Sequence, residues 1–565
     1  MYFKNYLHLP PKMKRFLTLA IITTALLSSA TAQDQGVFSG NLQSNFNVFL
    51  KDSLIGAVEG ASPQYGKQIS SSESWLFLNY DIKGWHFAAR YDLFNNSNLL
   101  NPADAYSGQG LGFWQIKKEV GDLEITAGSF YDQFGSGAVF RAFENRLIGI
   151  DYAMEGVRLK YKVADDFVIK AFTGKQKGGL DRRFETSPQI VKGINAEKGY
   201  LSDKGSVLNV GVSAVNRTLN ENAYSKLVTE IQGLGLSQED GFYPKYNTYL
   251  MNGYFNASVG NFGFNGELNY KTAEPIKDNR DSLINGSGNL AILGVSYSKR
   301  KLGKSKKGGL GVNLQYRRID NFAFNVDPYS QLSLLQGLLS YQPSLSRQAS
   351  YRLLARYQAP AQFTGEQGVQ AEVIYSLNKK TNVTVNFSDI TDLNGAQLFR
   401  EQFVQIEHKI NKKWKGKLGL QMVNYNQEVY EVKPLGKADE VETFTPFGEI
   451  TYKINRKNSL RFESQMLLTK QDLGSFYHGI IEWNNSPKFS IAISDMINTN
   501  PVRIVNVSLA DQVLHYPSVF VKYNIKTTSF TAAYIKQVEG VVCTGGVCRL
   551  EPAFSGLRFT LSTQF

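Results

Sequence analysis

The feature that most constrains this chain is a two-residue alternation of apolar and polar side chains. It recurs from Val37 to the last residue, Phe565. In the first run Phe38, Gly40, Leu42, Ser44, Phe46, Val48 and Leu50 alternate with Ser39, Asn41, Gln43, Asn45, Asn47 and Phe49. A period of two places one class of side chain on each face, so each run reads as a strand between two different environments. The runs last about nine to twelve residues, enough to cross a bilayer when tilted. They come in pairs joined by Gly, Asn, Asp and Lys, as at Lys83-Gly84, Ala164-Asp165-Asp166 and Gly260-Asn261. Such turns between alternating runs are hairpin signals. The other connections are long: 95–110, 131–154, 175–188, 218–245, 272–288, 319–367, 426–443 and 498–516. Short turns on one side and long loops on the other predict an all-β fold. We expect a transmembrane antiparallel up-and-down β-barrel of about 24 strands, with short periplasmic turns and long extracellular loops.

Composition excludes the competing classes. With 36 Phe, 30 Tyr, 50 Gly and 42% hydrophobic residues the chain is not disordered. After the leader no run of about 18 apolar residues suggests a spanning helix. The leader itself joins Lys12, Lys14 and Arg15 to an apolar run ending in Ser28-Ser29-Ala30-Thr31-Ala32. A basic start, a short apolar core and an Ala-x-Ala end are a secretory signal peptide. We expect residues 1–32 to be removed between Ala32 and Gln33, leaving 33–565 as the barrel; Met1 and Met13 both remain candidate starts. The two cysteines, Cys543 and Cys548, flank Thr-Gly-Gly-Val. In an exported chain this predicts a disulfide staple across a loop. A metal site would need more ligands nearby, and four intervening residues do not make a redox Cys-x-x-Cys.

At the C-terminus Leu557, Phe559, Leu561, Thr563 and Phe565 alternate with Arg558, Thr560, Ser562 and Gln564. This resembles the terminal strand of outer-membrane proteins, whose final Phe is read by the barrel-assembly machinery. The resemblance extends along the chain. Phe130-Tyr131-Asp132-Gln133-Phe134-Gly135-Ser136-Gly137, Gly149-Ile150-Asp151 and Gly365-Glu366-Gln367-Gly368-Val369-Gln370-Ala371-Glu372 are similar to stretches in a family of large Gram-negative outer-membrane barrels. That resemblance implies integral location in the outer membrane, among its lipids; it carries no activity and no site residues.

The chain shows no plug-sized domain before the first run, unlike TonB-dependent receptors. Enzyme chemistry is not expected. His478 and Glu482 share a strand face but lie roughly 13 Å apart at strand rise, and no Gly-x-Ser-x-Gly elbow occurs. No cofactor, metal or nucleic-acid partner is expected; Gly108, Gly110 and Gly112 lack the Lys-Ser/Thr of a phosphate loop. The polar faces carry more bases (Arg90, Lys117, Arg158, Lys170, Lys271, Arg317, Lys417, Arg461, Arg558) than acids (Glu124, Glu267, Glu372, Glu463). A wet lumen of that kind favours anions mildly. Segment 131–151 sets Asp132, Arg141, Glu144, Arg146 and Asp151 among Gly and Phe, and is expected to fold inward as a charged constriction. Segment 331–339, with Leu332, Leu335 and Leu339 on one face, suggests a short helix at the mouth. The reading is a porin-like channel for passive passage of small solutes. The alternative is a non-transporting scaffold or receptor whose long loops bind a surface lipoprotein or ligand.

Overall fold

The computed structural model describes residues 36–565, apart from 60–62, 101–103, 180–181, 236–241, 279, 281, 304–306, 329–336, 435, 437, 439, 500–512 and 545–546. The leader and the Ala32/Gln33 junction lie outside the described residues. The alternating runs form a 24-stranded antiparallel sheet that closes on itself. The first strand, Val37–Phe49, pairs with Ser70–Ile82 on one side and with the last strand, Phe554–Gln564, on the other. Phe565 completes the seam by exchanging backbone hydrogen bonds of 2.9 and 3.0 Å with Gly40. Closure leaves no unpaired strand edge, which is what permits a sheet to sit in a membrane.

Connections at the end where Val37 begins are tight, from two residues at 83–84 to five at 202–206. Those at the other end reach their longest at 321–364. Several long loops differ from the sequence expectation. A connection not among the expected long ones, between Phe49 and Ser70, buries its Ile55, Ala57 and Tyr65 against Leu345, Leu353 and Tyr357. Segment 272–288 is mostly strand, because Phe262–Lys277 and Leu283–Leu302 run on past the neighbouring strands through a bulge between Lys271 and Glu274. A helix, Glu221–Gly233, sits in the 219–246 loop; Asn220 caps it and Ala223, Leu227 and Ile231 are its buried stripe. Of the helix expected over 331–339, residues 331–336 lie outside the described residues. Leu338 pairs with Asn325 in an isolated bridge, so the described end of that segment is extended.

The outward face is apolar: Leu159, Val212, Leu268, Leu293, Leu314, Leu418, Ile481 and Ile493 are all exposed. The core lies inside the barrel, where loop residues pack on inward-facing strand residues. One cluster joins Phe134, Val139 and Phe140 to Phe172, Val191, Val215, Leu250, Leu290 and Ile319. A second joins Tyr65, Leu345, Leu353 and Tyr357 to Phe399, Tyr425, Phe476 and Tyr516.

Candidate functional site

After the strand Leu123–Phe130 the chain turns into the lumen. Asp132–Phe134 pairs with Phe140–Ala142 as a small hairpin. Its turn needs two left-handed residues, which Gly135 (φ 53°) and Gly137 (φ 95°) supply. The Phe140 ring stacks 4.3 Å from Phe172 on the wall. The tip descends well inside: Asp132 Oδ1 accepts from Lys170 Nζ at 2.8 Å, and the Ser136 amide donates to Glu267 Oε2 at 3.0 Å. Arg158 bridges Asp132 and Glu124. Arg141 lies 4.7 Å over the Phe143 ring and 4.1 Å over Tyr341.

The return limb is held by a buried charge cluster. Arg90, from the strand Trp85–Ser97, donates to Asp92 at 2.6 Å, Glu144 at 2.6 Å and Asp151 at 2.7 Å. Asp151 also accepts from Lys177 at 2.9 Å and from the Tyr131 hydroxyl at 2.8 Å, with Arg183 at 3.6 Å. Neither Asp92 nor Asp151 has side-chain surface exposed. Burial alone would favour neutral Asp151, but Lys177, Arg183 and Arg90 outweigh it and hold its carboxyl well below the usual carboxylate range. Glu144 goes the other way: burial raises it, and Arg90 offsets that only in part. Lys177 is pushed down by burial to about 8, against the pull of Asp151.

A second loop, described over 321–328 and 337–364, fills the opposite side of the lumen. It ties to the first through Arg141 N to Leu339 O (2.9 Å) and Tyr341 N to Gly137 O (3.0 Å). Farther on, the Tyr351 hydroxyl donates to Glu449 at 3.1 Å, the Leu353 amide to Gln465 at 2.8 Å, and Arg347 lies 3.7 Å over Phe403.

What the two loops leave open is an arc of wall around the seam. A cavity of about 420 Å³ lies there, lined by Gln43, Asn45 and Asn47 of the first strand, Glu73 of the second, Arg558 of the last, and Arg146 of the inserted loop. Gln43 stands midway along its strand and Phe49 at the mouth, so the cavity runs from mid-height outward. Arg146 donates to Gln43 at 3.2 Å, contacts Glu144 at 3.4 Å, and stacks 4.7 Å over Phe77.

The five residues expected at a constriction are thus divided. Glu144 and Asp151 meet on Arg90, Arg146 faces the cavity, and Asp132 and Arg141 anchor the tip elsewhere; they do not form one ring of charge. Their partners Asp92, Lys177 and Arg183, and the inward course of 321–328 and 337–364, were not read from the sequence. A signal for them exists. Phe172, Val191, Val215, Leu250, Leu290 and Ile319 are apolar on the face that is otherwise polar, all toward the outer strand ends. Apolar residues on both faces of a barrel strand mean that something other than water covers the inside.

Leu557, Phe559 and Leu561 face outward beside Phe46, with Phe559 6.3 Å from that ring. Cys543 stands opposite Cys548 in the hairpin Gly540–Thr544/Val547–Glu551; their side chains lie outside the described residues. His478 contacts Gln465 at 3.2 Å, whereas Glu482 pairs with Arg461 at 2.6 Å.

No curated protein matches the chain. Among solved structures it is similar to the translocation pore of the P pilus usher PapC, at 9% identity over 94% of this chain and 99% of that one, TM-score 0.39. It is similar to the siderophore receptor PirA from Pseudomonas aeruginosa, at 10% identity over 95% and 81%, TM-score 0.42. It is also similar to OccK5 (OpdH) from Pseudomonas aeruginosa, at 10% identity over 83% and 99%, TM-score 0.34. Residues 13–565 match one family throughout, and the chain belongs to it: the family of unknown function DUF6029.

Proposed function

We propose that this barrel is an integral outer-membrane channel for small solutes, with its own loops filling most of the lumen and a polar route left along the seam. The observation that carries the reading is the cavity beside Gln43, Asn45, Asn47 and Arg558. Toward the tight-turn end the inward positions of the same arc include Ser39, Asn41, Asn79, Ser529, Thr531, Ser562 and Gln564, with Phe77 opposite Asn41 as an apolar member. The expected anion preference is weak. Most luminal bases, including Arg90, Arg158, Lys170, Arg317 and Arg461, sit on carboxylates, and in the cavity Arg146 and Arg558 face Glu73 and Glu551. We read the barrel as non-enzymatic, since His478 and Glu482 serve different partners.

Planar-bilayer recording of the purified protein tests this, with reversal potential in a salt gradient. Steady small openings of low selectivity support it. Silence, both in the wild type and after deletion of 132–150, sinks it. The extent of the filling favours a second reading in that case, a scaffold whose outer loops hold a surface lipoprotein.

A further inference from the structure

The seam cavity has the chemistry of a binding site rather than of a plain water path. We propose that it recognises a neutral polyhydroxylated solute, a short saccharide, in the lumen. This rests on the channel reading for its route but not for the binding itself.

Its volume of about 420 Å³ is within the range of small-ligand pockets, roughly 300–1,000 Å³. A hydroxyl is donor and acceptor at once, so a surface that binds neighbouring hydroxyls must set donors beside acceptors at one height. The strand register does this. Asn45 lies directly between Glu73 on one side and Thr560 on the other; one step outward, Asn47 lies between Ser71 and Arg558. An anion site would gather cations, and a peptide site would separate acid from base along the axis. Here two acids and two guanidiniums share the cavity with the amides.

The groups are also held in place before any ligand arrives. Arg558 Nε donates to Asn47 Oδ1 at 2.9 Å while its guanidinium lies 5.2 Å over Phe554. Asn47 Nδ2 donates to Ser71 Oγ at 3.2 Å. Arg146 is pinned by Gln43 and Phe77. Preorganised polar groups keep most of their binding energy, because little freedom is lost on association. Phe49, half-buried and edge-on to Phe554 at 6.0 Å, supplies an apolar lip for the ring face of a sugar.

The test is calorimetric titration of the full barrel in detergent with maltotriose, and with triglycine and citrate as zwitterionic and anionic probes. We expect saturable heat with maltotriose and at least about tenfold weaker binding of the other two, since unpaired polar groups are penalised by about a decade each. Asn45→Leu should abolish maltotriose binding. Gln537→Leu, a second lining position, should weaken it, with heat-modifiable gel mobility showing that both variants are folded. Tighter binding of citrate or triglycine, no heat with maltotriose, or heat that both folded variants retain overturns the proposal. Bilayer current measured alongside separates the two ideas: maltotriose binding without current refutes the channel, and current without maltotriose binding refutes the saccharide site.

Discussion

Replacing Asp151 with asparagine tests whether ion pairing holds the inserted loop in the lumen. Three cations, Arg90, Lys177 and Arg183, face three carboxylates, Asp92, Glu144 and Asp151, in that cluster. Asparagine keeps the volume and one acceptor for Arg90, but leaves one buried positive charge uncompensated. Removing one partner of a buried ion pair costs about 3–5 kcal/mol; the retained acceptor places this variant at the lower end. The 24-stranded ladder does not depend on Asp151, so the cost appears as local undocking of 131–153 rather than as loss of the barrel. At about 1.4 kcal/mol per decade, the undocked-to-docked ratio rises roughly a hundredfold. The assay is limited trypsin treatment of the barrel in bilayer discs, with cleavage after Arg141 and Arg146 followed by mass spectrometry. Where reclosing is fast, nicking follows the undocked population. Cleavage at those two residues should accelerate by about two decades, with heat-modifiable mobility unchanged. Nicking at the wild-type rate would refute the claim that the charge cluster is the latch.

The remaining predictions bear on the same architecture. Phe140→Ala removes a fully buried ring stacked on Phe172 and should cost about 3–5 kcal/mol of docking, seen as faster nicking after Arg141. Because Asp151 is held below its ordinary value of about 3.9, its contribution to docking is present above that pH and is lost as pH falls below it toward the depressed value. Acidification from pH 5 to pH 2 should therefore raise the opening frequency in bilayers, and Asp151→Asn should lack this component of the rise. Arg146→Glu at the cavity floor should shift the reversal potential toward cation selectivity; an unchanged potential would show that current bypasses the seam. Removing Phe565 deletes two backbone hydrogen bonds to Gly40 and the terminal aromatic, and should reduce the heat-modifiable fraction recovered from membranes.

Much of the fold was legible because the barrel wall obeys one local rule. Phe530, Ala532 and Tyr534 face outward while Ser529, Thr531 and Ala533 face inward, and the last strand answers with Phe559 and Leu561 against Arg558, Thr560 and Ser562. Such a pattern is set by neighbours two residues away, so the sequence displays it directly. The lumen is different. Asp151 is explained by Arg90, 61 residues earlier, and Leu353 by Gln465, 112 residues later. Spacing says nothing about such pairs, because only barrel closure brings them together. The helix Glu221–Gly233 was readable from Asn220 and the stripe Ala223, Leu227, Ile231, but it is buried in a long polar loop where no neighbouring pattern draws attention to it.

The distribution of side chains inside the wall bears on which functional reading survives. If the barrel only displayed loops, nothing would oppose filling its whole interior. Burying an aliphatic or aromatic side chain yields about 1.5–3 kcal/mol, and the walls under the two loops use that gain through Phe172, Phe403, Phe447 and Phe476. Along the seam most inward positions forgo it, with Phe49, Phe77 and Phe554 as exceptions. Gln43, Asn45, Asn47, Arg558 and Thr560 line open space, and Ser39, Asn41, Ser529, Thr531 and Ser562 continue the polar lane toward the tight turns. A largely polar lane through several strands requires water or a hydrophilic solute in it to balance those groups. That lane is the feature that supports the proposed channel over a scaffold.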